Sequence, residues 1–287
     1  MTNIANLART AEADARPTVI ALHCSGATRS EWRQLERDLG HRFTMIAPDL
    51  IGSGRTAHWT GAHALNLSDE AAQVVRMIDA AEGPVHLVGH SYGGCVALRA
   101  AVERPAKIAS MALYEPAAFH VLEMMGPDGR FALDEITAVA GYINRFVLNG
   151  DYQAAAKHFV ECWNGEGSWA AMRREARDEL VRYIPKVCLE FSAEFAERLP
   201  LVAYRRFNFP VLLLQGEHAP KSTQLIARQL AKAVRYASLQ TVYGAGHMGP
   251  FSHAEIISTM IAEWIVRAEP RLRPTKRAIE FDTHQAA

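Results

Sequence analysis

The sequence predicts an α/β chain: a mostly parallel sheet of about six to eight strands with helices on both faces and an inserted all-helical cap. Three observations predict it. Short runs rich in Val, Ile and Leu on consecutive positions recur along the chain, as expected of parallel strands covered on both faces. Amphipathic stretches at helical spacing separate them. The alternation stops between about residues 117 and 207, where only helical patterns are found.

Taken in order, residues 18–22, 43–47, 85–88, 109–114, 211–214 and 239–242 read as buried strands. Residues 31–39 place Trp32, Leu35 and Leu39 on one helical face behind a Ser30 N-cap. Ser68 is placed to cap a helix over 69–81, which Gly83-Pro84 stops. Helical patterns at 223–237 and 255–266 complete the alternating part. The inserted block reads as helices over 134–148, 151–163, 169–183 and 186–198, punctuated by Gly126, Gly150, Gly165 to Gly167 and Pro185. The expected division is therefore a core over 1–116 and 208–287, with a helical cap, or lid, over 117–207. The tail after Pro270 is polar and expected to be loosely held.

Composition excludes several classes. The chain has 287 residues, 49% hydrophobic and 22% charged, which is ordinary globular usage. Lys+Arg and Asp+Glu are balanced at 31 each, so neither a nucleic-acid partner nor a polybasic membrane anchor is expected. No apolar run reaches the roughly 18 residues of a membrane span, and residues 1–17 lack the pattern of a signal peptide. Cys24, Cys95, Cys162 and Cys188 form no CxxC and no zinc spacing. They read as reduced thiols of a cytoplasmic protein, with no metal and no cofactor. Ile51-Gly52-Ser53-Gly54 is too short for a dinucleotide fingerprint.

The strongest chemical signal is Gly89-His90-Ser91-Tyr92-Gly93, a G-x-S-x-G between a strand and a helix. That context makes a nucleophile elbow, a sharp strained turn that holds Ser91 at its tip. Gly89 and Gly93 lack the Cβ atoms that would clash across it. The second signal is His247, between Gly246 and Met248-Gly249, just past the last strand. A histidine there can act as general base toward Ser91.

Together these residues resemble the α/β-hydrolase superfamily, over residues 18–266. Residues 18–26 are similar to the strand ending in the family's His-Gly loop, and 47–55 (APDLIGSGR) to its P-D-x-x-G-x-G segment. Residues 211–220 are similar to the strand and loop that often carry the acid, and the helical block to the cap. The resemblance implies Ser91 as nucleophile and His247 as base. Cys24 stands at the glycine of the His-Gly loop, and carrying that loop over residue by residue makes Ser25 an oxyanion-hole donor, partnered by the Tyr92 N–H. The hairpin that the family places before the first of these strands shows no pattern in residues 1–17.

The third triad member departs from the pattern. Where relatives often read G-E-x-D, this chain reads Gly216-Glu217-His218-Ala219, and no Asp occurs between Asp178 and Asp282. A histidine base still needs a group on its Nδ1–H. Glu115 is the first candidate: it ends the strand at 109–114, precedes Pro116, and keeps the order Ser91…Glu115…His247. Certain haloalkane dehalogenases are similar in taking the acid from this strand. Glu217 is the runner-up, and an acid-free dyad the third option.

A serine nucleophile argues against dehalogenase and epoxide-hydrolase chemistry, which need a carboxylate. The leading expectation is a cofactor-independent serine hydrolase, by default a carboxylesterase, acting on a small, largely apolar ester or related carbonyl substrate. Phe119, Met124, Met125, Phe131, Phe146, Phe159, Trp163 and Trp169 are the cap's candidates for an apolar pocket. The same site also suits C–C bond hydrolysis, a thioester, a lyase or a perhydrolase reaction. A reading from another class is a catalytically silent ligand-binding protein, which the missing aspartate supports.

Overall fold

The computed structural model describes residues 16–269. The hairpin question at the front and the polar tail lie outside the described residues. Six strands form one parallel sheet: β1 (Thr18–Leu22), β2 (Thr44–Ile46), β3 (Val85–His90), β4 (Ile108–Tyr114), β5 (Val211–Gly216) and β6 (Ala237–Val242), in the order β2-β1-β3-β4-β5-β6. Helices α1 (Arg33–Leu39), α2 (Leu67–Ala80) and α3 (Ser91–Glu103) alternate with the first strands. Between β4 and β5 come α4 (Gly126–Leu148), α5 (Tyr152–Asn164) and α6 (Arg174–Ala196), with short helical turns around them. Helices α7 (Lys221–Ala233) and α8 (Ala254–Ala268) complete the chain. Among the described residues no helix is long and apolar enough to cross a membrane.

The strands alternate strictly between two cores. Ile20, Leu22, Val85, Leu87, Met111, Leu113, Val211 and Leu213 point to one face, where they pack with α2, α3 and the inserted helices. Val19, Ala21, Val88, Ala112, Tyr114, Leu212 and Leu214 point to the other, against Trp32, Leu35, Ile257, Ile261 and Ile265 of the α1 and α8 region. Side chains on a strand alternate faces, so a consecutive apolar run feeds both layers at once.

Register brings the carboxyl ends of three strands level. His90 pairs with Tyr114, and Tyr114 with Leu214. The residues that follow, Ser91 and Glu115, therefore emerge side by side at one edge of the sheet, next to Gln215 and Gly216.

Three local expectations are corrected. Thr28, not Ser30, caps the first helical turn, its side chain accepting from the Ser30 N–H. Asn66, not Ser68, caps α2 and forms a reciprocal capping box with Asp69. In both places neighbouring residues could cap, and the extended backbone falls at the earlier one. Pro185 does not divide two helices but lies inside the continuous α6. The buried face runs across it through Ile184, Val187, Glu190 and Phe191, and that packing offsets the lost backbone hydrogen bond.

Candidate active site

Ser91 and Glu115 are the two non-glycine residues with positive φ among the described residues, at 51° and 42°. Such backbone is costly for residues with a Cβ and marks positions that the surroundings over-determine. At the elbow the cause is crowding. A Cβ on Gly89 would lie 2.7 Å from the Gly93 carbonyl oxygen, and one on Gly93 would run into the carbonyls of Leu22 and His23. The chain can turn this tightly over β1 only with glycine at both places.

The three predicted residues form one hydrogen-bonded line. His247 Nε2 lies 3.0 Å from Ser91 Oγ, and His247 Nδ1 lies 2.7 Å from Glu115 Oε2. Glu115 is fully buried, and it also accepts from the Gly216 N–H (2.7 Å, on Oε1) and the Thr223 hydroxyl (2.9 Å, on Oε2). Burial pushes the Glu115 carboxyl up, but the hydrogen bond and charge of His247, the Gly216 N–H and Thr223 outweigh it and hold it below the usual range. Burial lowers His247 below an ordinary histidine, and the opposing hydrogen bond and charge of Glu115 do not reverse this. The resting pair is a carboxylate and a neutral imidazole with its proton on Nδ1. The Nε2 lone pair then faces the Ser91 hydroxyl.

Glu217 is elsewhere. Its side chain is about half exposed and its Oε2 accepts from the Gly244 N–H at 2.8 Å.

Ser25 and Ser91 line the same cavity. The Cys24 N–H is already donated to Glu31 Oε2 at 2.9 Å, which leaves the Ser25 N–H as the next donor along this loop. The Tyr92 N–H lies in the first turn of α3, where no backbone acceptor exists within the helix. Burial and then the charge of Glu31 push the Cys24 thiol well up, so it stays protonated and is a poor nucleophile.

Sequence reasoning missed the residues that hold the histidine loop. His90, the first variable position of the elbow motif, donates from Nε2 to the His247 carbonyl at 2.9 Å, and its Nδ1 meets Glu31 Oε1 at 2.7 Å. All of this is buried. Tyr114 donates to the Gly246 carbonyl at 2.6 Å. The position of His90 inside the motif was the available signal. Cys24, Glu31 and His90 bring potential ligand atoms within 4.8 Å of one another, but both Glu31 oxygens are committed to these hydrogen bonds.

The site opens into a cavity of about 440 Å³. Phe119, Phe159 and Trp163 from the inserted block line it, with Met172, Leu180 and Phe191. The Trp163 ring lies 4.4 Å from the imidazole of His247, centre to centre. Met124 and Phe131, expected as pocket candidates, are exposed, and Trp169 is buried away from the lining.

A sequence profile described as the alpha/beta hydrolase family matches residues 19–258. The chain belongs to this family. It is 31% identical over 113 residues to the lipase LipV of Mycobacterium tuberculosis, a match covering 39% of this chain and 41% of the lipase. It is 22% identical over 265 residues to the pyrrolizixenacetamide deacetylase of Xenorhabdus hominickii, covering 87% and 91% of the two chains. In structure it is similar to the 2-hydroxy-6-oxo-6-phenylhexa-2,4-dienoate hydrolase of a Rhodococcus species, with a TM-score of 0.64, 21% identity, and coverage of 87% and 90%.

Proposed function

We propose that this chain is a cofactor-independent serine hydrolase that cleaves an ester or related acyl bond through an acyl-enzyme on Ser91. The observation that carries the reading is the buried line Ser91–His247–Glu115 opening into a largely apolar cavity. The matched lipase and deacetylase are named for acyl chemistry of this kind.

The geometry supports the following sequence. His247 Nε2 takes the Ser91 proton while Oγ attacks the carbonyl carbon. The electron pair moves onto the carbonyl oxygen, which the Ser25 and Tyr92 N–H groups hold. Glu115 stabilises the imidazolium and fixes its orientation. Collapse of the intermediate expels the leaving group, which receives the proton from Nε2. His247 then deprotonates water for attack on the acyl-enzyme, and the second collapse frees the acid and restores Ser91. The helical block 117–207 acts as the lid, bringing Trp163 against the base.

The test is covalent labelling with a fluorophosphonate, read by intact mass. One label is expected on the wild type and none on Ser91→Ala or His247→Ala. A folded wild type that takes no label overturns the reading and leaves a ligand-binding protein in its place.

A further inference from the structure

One part of the cavity does not fit an apolar substrate. Helix α6 supplies Glu190 and Glu194, one turn apart and therefore on one face, and both line the cavity. They are 1% and 4% exposed. Behind them lie Glu70 and Lys186. The Lys186 ammonium is bound to Glu70 at 2.5 Å and lies 3.5 Å from Glu190. Glu70 also accepts from the Tyr92 hydroxyl and the Ile51 N–H, so it is fully engaged. Glu190 Oε1 accepts from the Tyr183 hydroxyl at 2.6 Å. The Ser25 hydroxyl faces the carboxyl and eases its ionisation, yet Oε2 is buried and closes no hydrogen bond with any described residue.

Two quantities are therefore out of balance at this wall. One buried acceptor, Glu190 Oε2, closes no hydrogen bond, and a buried polar atom left so is destabilising. Glu70 and Glu190 also share the one Lys186 ammonium, Glu194 makes no ion pair among the described residues, and no Lys or Arg lines the cavity among them. Burial accordingly pushes both Glu190 and Glu194 up.

We propose that Glu190 and Glu194 form a recognition subsite for an ammonium group carried by the substrate, so that the hydrolase of the preceding section acts on amine-bearing acyl compounds. This rests on that reading for the bond cleaved, but not for the binding. A hydroxyl would satisfy the orphaned oxygen alone. An ammonium satisfies it and, as a cation against two carboxyls, favours their ionised forms on binding. A carboxylate would face two carboxyls with no cation of its own. The flanking rings of Phe119, Phe159 and Phe191 suit both the apolar part of such a ligand and its cation. The ammonium would also offset any negative charge on Glu190 beside Ser25, where the oxyanion develops.

The test uses n-hexylammonium, 1-hexanol and hexanoate as competitors of p-nitrophenyl butyrate hydrolysis. The same three are titrated calorimetrically into Ser91→Ala. Hexylammonium is expected to bind on the order of tenfold tighter than hexanol, with hexanoate weakest. Glu190→Gln and Glu194→Gln should each shrink the ammonium preference to about threefold or less, in variants whose fold is verified by circular dichroism. Equal binding of ammonium and alcohol, a preference for hexanoate, or a preference that survives both substitutions overturns the subsite. If neither variant folds, the wild-type series decides alone. Titration into Ser91→Ala needs no turnover. Ammonium binding without fluorophosphonate labelling of the wild type therefore removes the hydrolase reading only, and hydrolysis without ammonium preference removes the subsite only.

Discussion

Replacing Glu115 by Gln keeps shape and volume but forces a choice on the site. The carboxylate now accepts the Gly216 N–H on one oxygen and both His247 Nδ1–H and Thr223 on the other. A carboxamide has one acceptor end. If its oxygen faces His247, its NH₂ opposes the Gly216 N–H, two donors in a buried site, at about 1–3 kcal/mol. If its oxygen faces Gly216, its NH₂ meets Nδ1, and the imidazole must move its proton to Nε2. Thr223 can then turn its hydroxyl to the Pro220 carbonyl, 3.0 Å away, so this arrangement is the cheaper. It aims an N–H at Ser91 Oγ where a lone pair is needed. The equivalent amide substitution in a serine-protease triad lowers kcat by about 10⁴. We expect a loss of about 10³–10⁴ here, roughly 4–5.5 kcal/mol of barrier, with KM changed by less than about threefold because Glu115 is buried behind His247 and does not line the cavity. Steady-state hydrolysis of p-nitrophenyl butyrate and the fluorophosphonate labelling rate both read it. A Glu115→Gln enzyme within about tenfold of wild type, beside a dead Ser91→Ala, would refute the assignment of the acid.

Other outcomes follow from the same geometry. Glu217→Gln, in a half-exposed side chain away from the histidine, should leave kcat/KM within about twofold; a loss comparable to that of Glu115→Gln would return the acid to its loop. The acid limb of kcat/KM should fall below the ordinary histidine value near pH 6.5: His247 is active when neutral, burial lowers it, and activity is lost only as pH drops through that lowered value. A limb above pH 7 would contradict it. His90→Phe strands Glu31 in a buried site and frees the His247 carbonyl; a loss of about 3–5 kcal/mol is expected in urea melts, only partly recovered in His90→Phe/Glu31→Leu, which removes the buried charge but leaves the Cys24 N–H and the His247 carbonyl unpaired. Gly93→Ala drives a Cβ into the Leu22 and His23 carbonyls and should cost about 1–3 kcal/mol, several degrees of Tm.

The parts legible in the sequence were those where one residue type has one physical reason. Parallel strands betray themselves as unbroken apolar runs, and all six described strands stand where such runs were read. The elbow shows through two glycines that nothing else can replace. Glu115 emerged because the usual loop holds no aspartate and because Pro116 follows it. What stayed hidden depends on contacts between distant segments. Pro185 reads as a break, but the face it interrupts is buried on both sides. His90 occupies a position the motif leaves free, and its task is visible only once Glu31 and the His247 carbonyl flank it. Glu190 and Glu194 look like the solvated side of a helix, and only the approach of α6 to Ser25 and Glu70 makes them interior.

With Glu115, at the end of β4, against His247 Nδ1, the turn after β5 is left with a different task. Its main chain still matters: the Glu217 N–H is donated to the Val242 carbonyl, the His218 N–H to Ala245 and the Ala219 N–H to Gly216. Its side chains at 217 and 218 are exposed and carry no reacting atom. This turn is thus a hinge pin rather than a tool. It accepts almost any side chain at those two positions and rejects proline, which would remove an N–H that ties the histidine's own loop to the sheet. In related chains that place a carboxylate at the end of this same strand, the mark to look for in this segment is free variation of residue identity at constant length.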